Sequence, residues 1–171
     1  MSKAMVQRAD SQTIAISFTL NGRRQELVVE PHELLLDVVR ERLGMTGAKR
    51  SCDVQVCGAC TVLVDGRPVS ACTTLAFEVR NRAVMTIEGL ADTDGKLHPL
   101  QEAFIEHGGF QCGFCTPGMI LAAKALLDEN PSPTEAELKH FMHGNICRCT
   151  GYKKIIESIM AASKAMSEKP V

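Results

Sequence analysis

The chain has 171 residues, 45% hydrophobic and 23% charged, with a formal net charge of −1, eight cysteines and no tryptophan, a length that builds one ordinary domain or two small ones. So even a charge balance excludes a nucleic-acid footprint or a membrane-attracting basic surface, and no apolar run reaches the roughly eighteen residues of a membrane span. The polar stretch from Met1 to Thr13 lacks an export core, which predicts a reducing, cytoplasmic setting where cysteines serve metals more readily than disulfides.

Ile14, Ile16, Phe18 and Leu20 alternate with smaller or polar neighbours, Asn21-Gly22 supplies a tight turn, and Glu26-Leu27-Val28-Val29 returns, so a β-hairpin is expected. Pro31 suits a first helical position, and Leu34, Leu35, Val38, Val39 and Leu43 follow at helical spacing until Gly44 ends the pattern. From Gly44 to Cys60 no period is visible, and three cysteines close the stretch, as in a loop wrapped on a metal centre. Thr61-Val62-Leu63-Val64, Asp65-Gly66 and Arg67-Pro68-Val69 predict a second hairpin with Cys72 just beyond it, and Val84-Met85-Thr86-Ile87 predicts one more strand. Together these describe a small mixed sheet of the β-grasp kind.

Glu88 to His98 reads as a polar linker, after which the strand pattern stops. Pro99, Leu100, Ala103, Phe104 and His107 predict a helix that Gly108-Gly109 ends. Thr116-Pro117 starts a second one through Ile120, Ala123, Leu126 and Leu127, ending before Pro131. Thr134-Glu135-Ala136-Glu137 is a capping box for a short helix carrying Leu138, Phe141 and Met142. Tyr152, Ile155, Ile156, Ile159, Met160 and Ser163 outline a last one, with a disordered tail expected from Ser167. Four helices in short succession suggest a small bundle.

The eight cysteines split into two groups of four. Cys52, Cys57, Cys60 and Cys72 form C-x4-C-x2-C-x11-C, whose first intervals match the plant-type ferredoxin spacing for a [2Fe-2S] cluster. Zinc and buried structural thiols are the competing readings, but the gaps are not those of paired zinc knuckles. Cys112, Cys115, Cys147 and Cys149 form C-x2-C-x31-C-x-C, a spacing that suits zinc as well as iron–sulfur; the first quartet favours iron–sulfur here, because two such centres make a relay. The small residues Gly58 and Ala59 let the backbone turn its N–H groups toward sulfur. Lys49, Arg50, Arg148, Lys153 and Lys154 offer counter-charge to the clusters or a solvated surface. His32, His98, His107, His140 and His143 show no ligand spacing to the cysteines and read as surface or cap residues.

Cys57-Gly58-Ala59-Cys60-Thr61-Val62, Gln111-Cys112-Gly113-Phe114-Cys115-Thr116-Pro117-Gly118 and Asn145-Ile146-Cys147-Arg148-Cys149-Thr150-Gly151-Tyr152 resemble the small iron–sulfur subunit of the xanthine oxidase (molybdenum hydroxylase) family. The resemblance runs from the first hairpin to the last helix. It implies an α+β chain: an N-terminal β-grasp [2Fe-2S] ferredoxin-like domain over residues 1–88 (1–12 a polar extension), a linker over 89–98, and a C-terminal four-helix-bundle [2Fe-2S] domain over 99–171. It implies a large subunit holding molybdopterin and the substrate, and a medium subunit holding FAD, in a heterotrimer or dimer of heterotrimers. Electrons would pass from molybdenum to the Cys112/Cys115/Cys147/Cys149 cluster, then to the Cys52/Cys57/Cys60/Cys72 cluster and the flavin, with Gln111 and Cys149 against the pterin. The substrate would be an N-heterocycle, purine, aldehyde or similar small molecule. One departure stands out: Ser51 and Gln55 replace glycines usual in the first cluster loop, and a positive φ at Gln55 would be strained.

Two other functions fit part of the pattern. A free-standing two-cluster carrier would be an active monomer, and a zinc-stabilised interaction module would be colourless. No nucleophile with its base, phosphate-cradling loop or dinucleotide fingerprint is present, so no substrate chemistry is expected on this chain.

Overall fold

The structure, a computed structural model, describes residues 12–168. Residues 1–11 of the expected N-terminal extension and 169–171 of the expected disordered tail lie outside them, and Ser167 ends the last helix. Strands β1 (Ile14–Leu20) and β2 (Arg23–Val29) form the first hairpin, paired from Ile14 with Val29 to Leu20 with Arg23. Both turn residues have positive φ, 49° at Asn21 and 77° at Gly22, the geometry that suits the strands' right-handed twist. Strands β3 (Thr61–Val64) and β4 (Arg67–Ser70) make the second hairpin, and β5 (Ala83–Met85) joins the two. The sheet is mixed and five-stranded, in the order β2-β1-β5-β3-β4, with β5 parallel to β1 and antiparallel to β3.

Three local expectations shift. The first helix does not begin at Pro31: Leu34 is extended and bridges Leu75, the Leu35 N–H donates to the Thr74 carbonyl, and α1 covers only Leu35–Asp37. Tertiary partners take the backbone groups that a first helical turn would have used. The chain then widens into a π-helical turn over Val38–Arg42, closed by the Leu43 N–H on the Val38 carbonyl. The strand expected to reach Ile87 stops at Met85, because Thr86 exchanges hydrogen bonds with the Asn21 side chain, N–H to Oδ1 at 2.8 Å and Nδ2 to Oγ1 at 2.9 Å. Ile87–Gly89 becomes a 3-10 turn.

The helices are α2 (Pro99–Glu106), α3 (Thr116–Glu129), α4 (Glu135–Phe141) and α5 (Lys153–Ser167). His98 caps α2 through Nδ1, which accepts from the Leu100 N–H at 3.2 Å, and burial and then Lys124 push its pKa down, in the direction that favours an accepting nitrogen. The Thr134/Glu137 capping box forms at the start of α4 as expected. The last helix starts one residue later than its apolar pattern, because Tyr152 sits in the left-handed region at φ 67°.

Two cores result. Leu35, Leu36, Val38 and Val39 pack with Ile16, Phe18, Leu20, Val62, Val64 and Val84 on one face of the sheet. Phe104, Met119, Leu127, Leu138, Ile155 and Ile159 share a second core with Leu90. Between them Leu63 turns from the opposite face of β3 onto Leu121 and Ala125 of α3. That contact explains why Thr61-Val62-Leu63-Val64 is buried on both faces instead of alternating. No helix among the described residues is long and apolar enough to cross a membrane.

Candidate metal centres

The first quartet lies on the irregular segment before β3 and on the turn after β4. Asp53 and Gln55 both adopt positive φ, 55° and 60°, so the strain expected at Gln55 is present and has a neighbour. Each such residue costs on the order of 1 kcal/mol relative to glycine. The two left-handed residues curl the chain so that the N–H groups of Val54, Val56 and Cys57 face the Cys52 sulfur, in that order of effect, and pull its pKa down to about 6. Arg50 clasps this loop, donating to Asp53 at 2.7 Å and to Asp37, and its own pKa rises because of them. The Arg50 charge is therefore already matched by carboxylates, as Lys154 is by Glu157 at 2.7 Å.

Cys60 and Cys72 are buried, 2% and 3% exposed, whereas Cys52 and Cys57 are half-buried. The thiols interact as Cys52 with Cys57 and Cys60 with Cys72. Burial pushes Cys60 up to about 12, so this inner thiol ionises only against a cation brought to it.

The second quartet repeats the design on helical loops. Cys112 and Cys149 are exposed with their sulfurs 3.6 Å apart, and Cys115, at the N-terminus of α3, meets the buried Cys147. Burial pushes Cys115 up to about 12. Burial also opposes ionisation of Cys147, but the Thr150 hydroxyl and N–H, the Cys149 N–H and Cys115 together bring its pKa down. Cys149 is raised by its hydrogen bond with Cys112.

Each quartet thus offers an outer pair and an inner pair of free thiols. Two metals bridged by sulfide take two thiolates each, so a two-plus-two set fits a [2Fe-2S] core. One tetrahedral ion instead draws four ligands to about 2.3 Å of a single point. Gln111 is exposed beside Cys112, and Phe110, Phe114 and Ile146 are exposed apolar neighbours of the same loops.

The two loops touch. The Ile146 N–H donates to the Cys57 carbonyl at 2.8 Å. The buried Asn145 amide donates to the Gly58 carbonyl at 3.1 Å and to the Thr61 hydroxyl at 3.3 Å. Gly58 is required here for space as well as for its φ of +69°: a Cβ would lie 2.5 Å from the Gly144 carbonyl oxygen and from Asn145 Nδ2. Gly118 approaches the same place, its would-be Cβ 2.3 Å from the Gly58 carbonyl oxygen. The sequence singles out neither Thr61 nor Asn145 beyond their places in the motifs, one residue after Cys60 and two before Cys147.

Residues 18–84 match the family described as 2Fe-2S iron-sulfur cluster binding domain, and residues 86–160 the family described as [2Fe-2S] binding domain. The chain is a two-cluster iron–sulfur protein. It is 50% identical to the nicotinate dehydrogenase small FeS subunit of Eubacterium barkeri, over 87% of this chain and 94% of that one. It is 44% identical to the nicotine 6-hydroxylase small subunit of Paenarthrobacter nicotinovorans, over 96% and 99%. The crystal structure of quinoline 2-oxidoreductase from Pseudomonas putida 86 superposes with a TM-score of 0.87 at 44% identity, covering 94% of this chain and 100% of that one. The chain belongs to the small iron–sulfur subunits of the molybdenum hydroxylase (xanthine oxidase) family, and so to an oxidoreductase complex.

Proposed function

We propose that this chain relays electrons inside a cytoplasmic molybdenum hydroxylase. Its ligands are Cys112, Cys115, Cys147 and Cys149 for the cluster that receives electrons, and Cys52, Cys57, Cys60 and Cys72 for the cluster that passes them on. A large subunit supplies molybdopterin, where substrate oxidation releases the electrons, and a medium subunit supplies the FAD that takes them up; three such chains form a heterotrimer, alone or doubled. Gln111 and Cys149 lie on the exposed side of the receiving cluster, where they meet the pterin. In the chain's organisation residues 1–88 and 99–171 are the two cluster domains, β-grasp and four-helix bundle, joined by 89–98.

The reading rests on one contact, the 2.8 Å hydrogen bond from the Ile146 N–H to the Cys57 carbonyl. Ile146 precedes one ligand and Cys57 is another, so a single hydrogen bond completes a backbone path between the quartets. The substrate we assign is an N-heterocycle, with an aldehyde or purine as the alternative: nicotinate, nicotine and quinoline enzymes are among the relatives, and so are aldehyde oxidoreductases and a probable xanthine dehydrogenase.

The test is cofactor analysis of the complex purified through this chain, with electron paramagnetic resonance after reduction by substrate. About four irons per chain, two distinct [2Fe-2S] signals, molybdenum and flavin are expected. Cys57→Ser removes the first signal and keeps the second. Iron without molybdenum or flavin would make the chain a free-standing carrier, and zinc in place of iron would end the redox reading.

A further inference from the structure

We propose that the Thr150 hydroxyl is a positioning group that sets the reduction potential of the second cluster through Cys147, and that Tyr152 holds it in place. The inference rests on Cys147 being a ligand of that cluster.

Thr150 Oγ1 donates to the Cys147 sulfur at 3.1 Å, and the Thr150 N–H approaches the same sulfur at 3.4 Å. The Tyr152 N–H donates to Thr150 Oγ1 at 3.2 Å, and the Cys147 N–H donates to the Tyr152 hydroxyl oxygen at 3.0 Å. These contacts close a ring. A hydroxyl carries one proton, and with the Tyr152 N–H occupying an oxygen lone pair, that proton is directed to sulfur. Bonds in such a chain polarise one another, so the Tyr152 amide makes the hydroxyl a better donor.

The ring depends on an unusual backbone. Gly151 and Tyr152 are both left-handed, at φ 62° and 67°, a conformation that a bulky side chain seldom adopts. It brings the Tyr152 N–H and hydroxyl back onto the loop that they follow.

Location decides why this donor matters more than others. Cys112 and Cys149 are exposed, so water can replace a lost hydrogen bond at their sulfurs, whereas Cys147 is 8% exposed and has no such substitute. A hydrogen bond to a ligand sulfur withdraws electron density and favours the reduced, more negative cluster. The Thr150 hydroxyl therefore raises the potential of the cluster that accepts electrons, without touching the first quartet.

The experiment is a redox titration of the purified complex by electron paramagnetic resonance, comparing wild type with Thr150→Val, Thr150→Ala, Thr150→Ser and Cys147→Ser. Thr150→Val and Thr150→Ala shift the second cluster to a more negative midpoint and leave the first unmoved, while Thr150→Ser, which keeps the hydroxyl, stays with wild type. The resonance Raman Fe–S(Cys) stretch rises in Thr150→Val and becomes less sensitive to deuterated water, with the Thr150 N–H left as an exchangeable donor to the same sulfur. Equal second-cluster midpoints in Val, Ala and Ser variants, or equal shifts in both clusters, would overturn the proposal. So would a second cluster that loads with Ser at this position but with neither Val nor Ala, since the hydroxyl would then act in assembly. If Cys147→Ser leaves both cluster signals unchanged, the ligand assignment itself fails.

Discussion

Asn145 donates its side-chain amide to the carbonyl of Gly58 at 3.1 Å, joining residues 87 positions apart. Gly58 directly follows Cys57 and Asn145 stands two residues before Cys147, so the bond sets the distance between the loops of the two quartets. The same amide reaches the Thr61 hydroxyl at 3.3 Å.

Asn145→Ala leaves the buried Thr61 and Gly58 groups with fewer partners and is expected to destabilise the chain by about 1–3 kcal/mol. Chemical denaturation of the holo protein measures this. Electron exchange between the clusters slows in the same variant, read by rapid-freeze paramagnetic resonance after partial reduction. A variant with wild-type stability and exchange would show that Asn145 does not hold the junction.

Gln55 tests the strain in the first loop. Gln55→Gly relieves the 60° φ, whereas Gln55→Val adds a β-branched residue to a region that such side chains avoid. The glycine variant is expected to be more stable than the valine variant by about 2 kcal/mol, and to load the first cluster at least as fully as wild type. Thermal melts and iron content decide it.

Leu121 is 1% exposed and packs against Leu63 on the face of the sheet turned away from α1. Leu121→Ala is expected to cost about 2–5 kcal/mol, the range for buried leucines. Loss of rigid packing should appear as faster amide exchange in β3, which α3 covers.

Thiol reactivity separates the outer and inner cysteines of the metal-free chain. Cys52 is lowered to about 6 by the N–H groups of Val54, Val56 and Cys57, so near neutral pH it is mostly thiolate and should be alkylated first. Cys60 and Cys115, both raised to about 12 chiefly by burial, should be alkylated last. Because Cys52 is already ionised, raising the pH above about 7 changes its rate little, while an ordinary thiol, with a pKa of about 8.5, goes on speeding up through and beyond that pH. Mass spectrometry of a labelling time course gives the order, and prompt labelling of Cys60 would contradict it.

The hairpins, the capping box at Thr134 and the breaks at glycine were legible because each depends on neighbours a few residues apart. Asn21-Gly22 adopts the two positive φ angles that its turn demanded. The start of α1 was not legible: Leu34 follows helical spacing, yet its backbone is claimed by Leu75, which no local pattern reveals. The left-handed turn at Gln55 could be anticipated only by comparison with a family loop that has glycine there.

By itself, then, the sequence determined the two cysteine quartets, the sheet-then-helix order and the motifs that mark the family, since spacing and local propensity are written along the chain. Only the tertiary structure decided which thiols pair as inner and outer, that Leu63 meets Leu121 beneath the sheet, and that Asn145 and Ile146 bind the loop of Cys57 and Gly58. Those relationships join residues far apart in sequence. They depend on where the two cores come to rest against each other, which is settled by packing and by the need of every buried polar group for a partner.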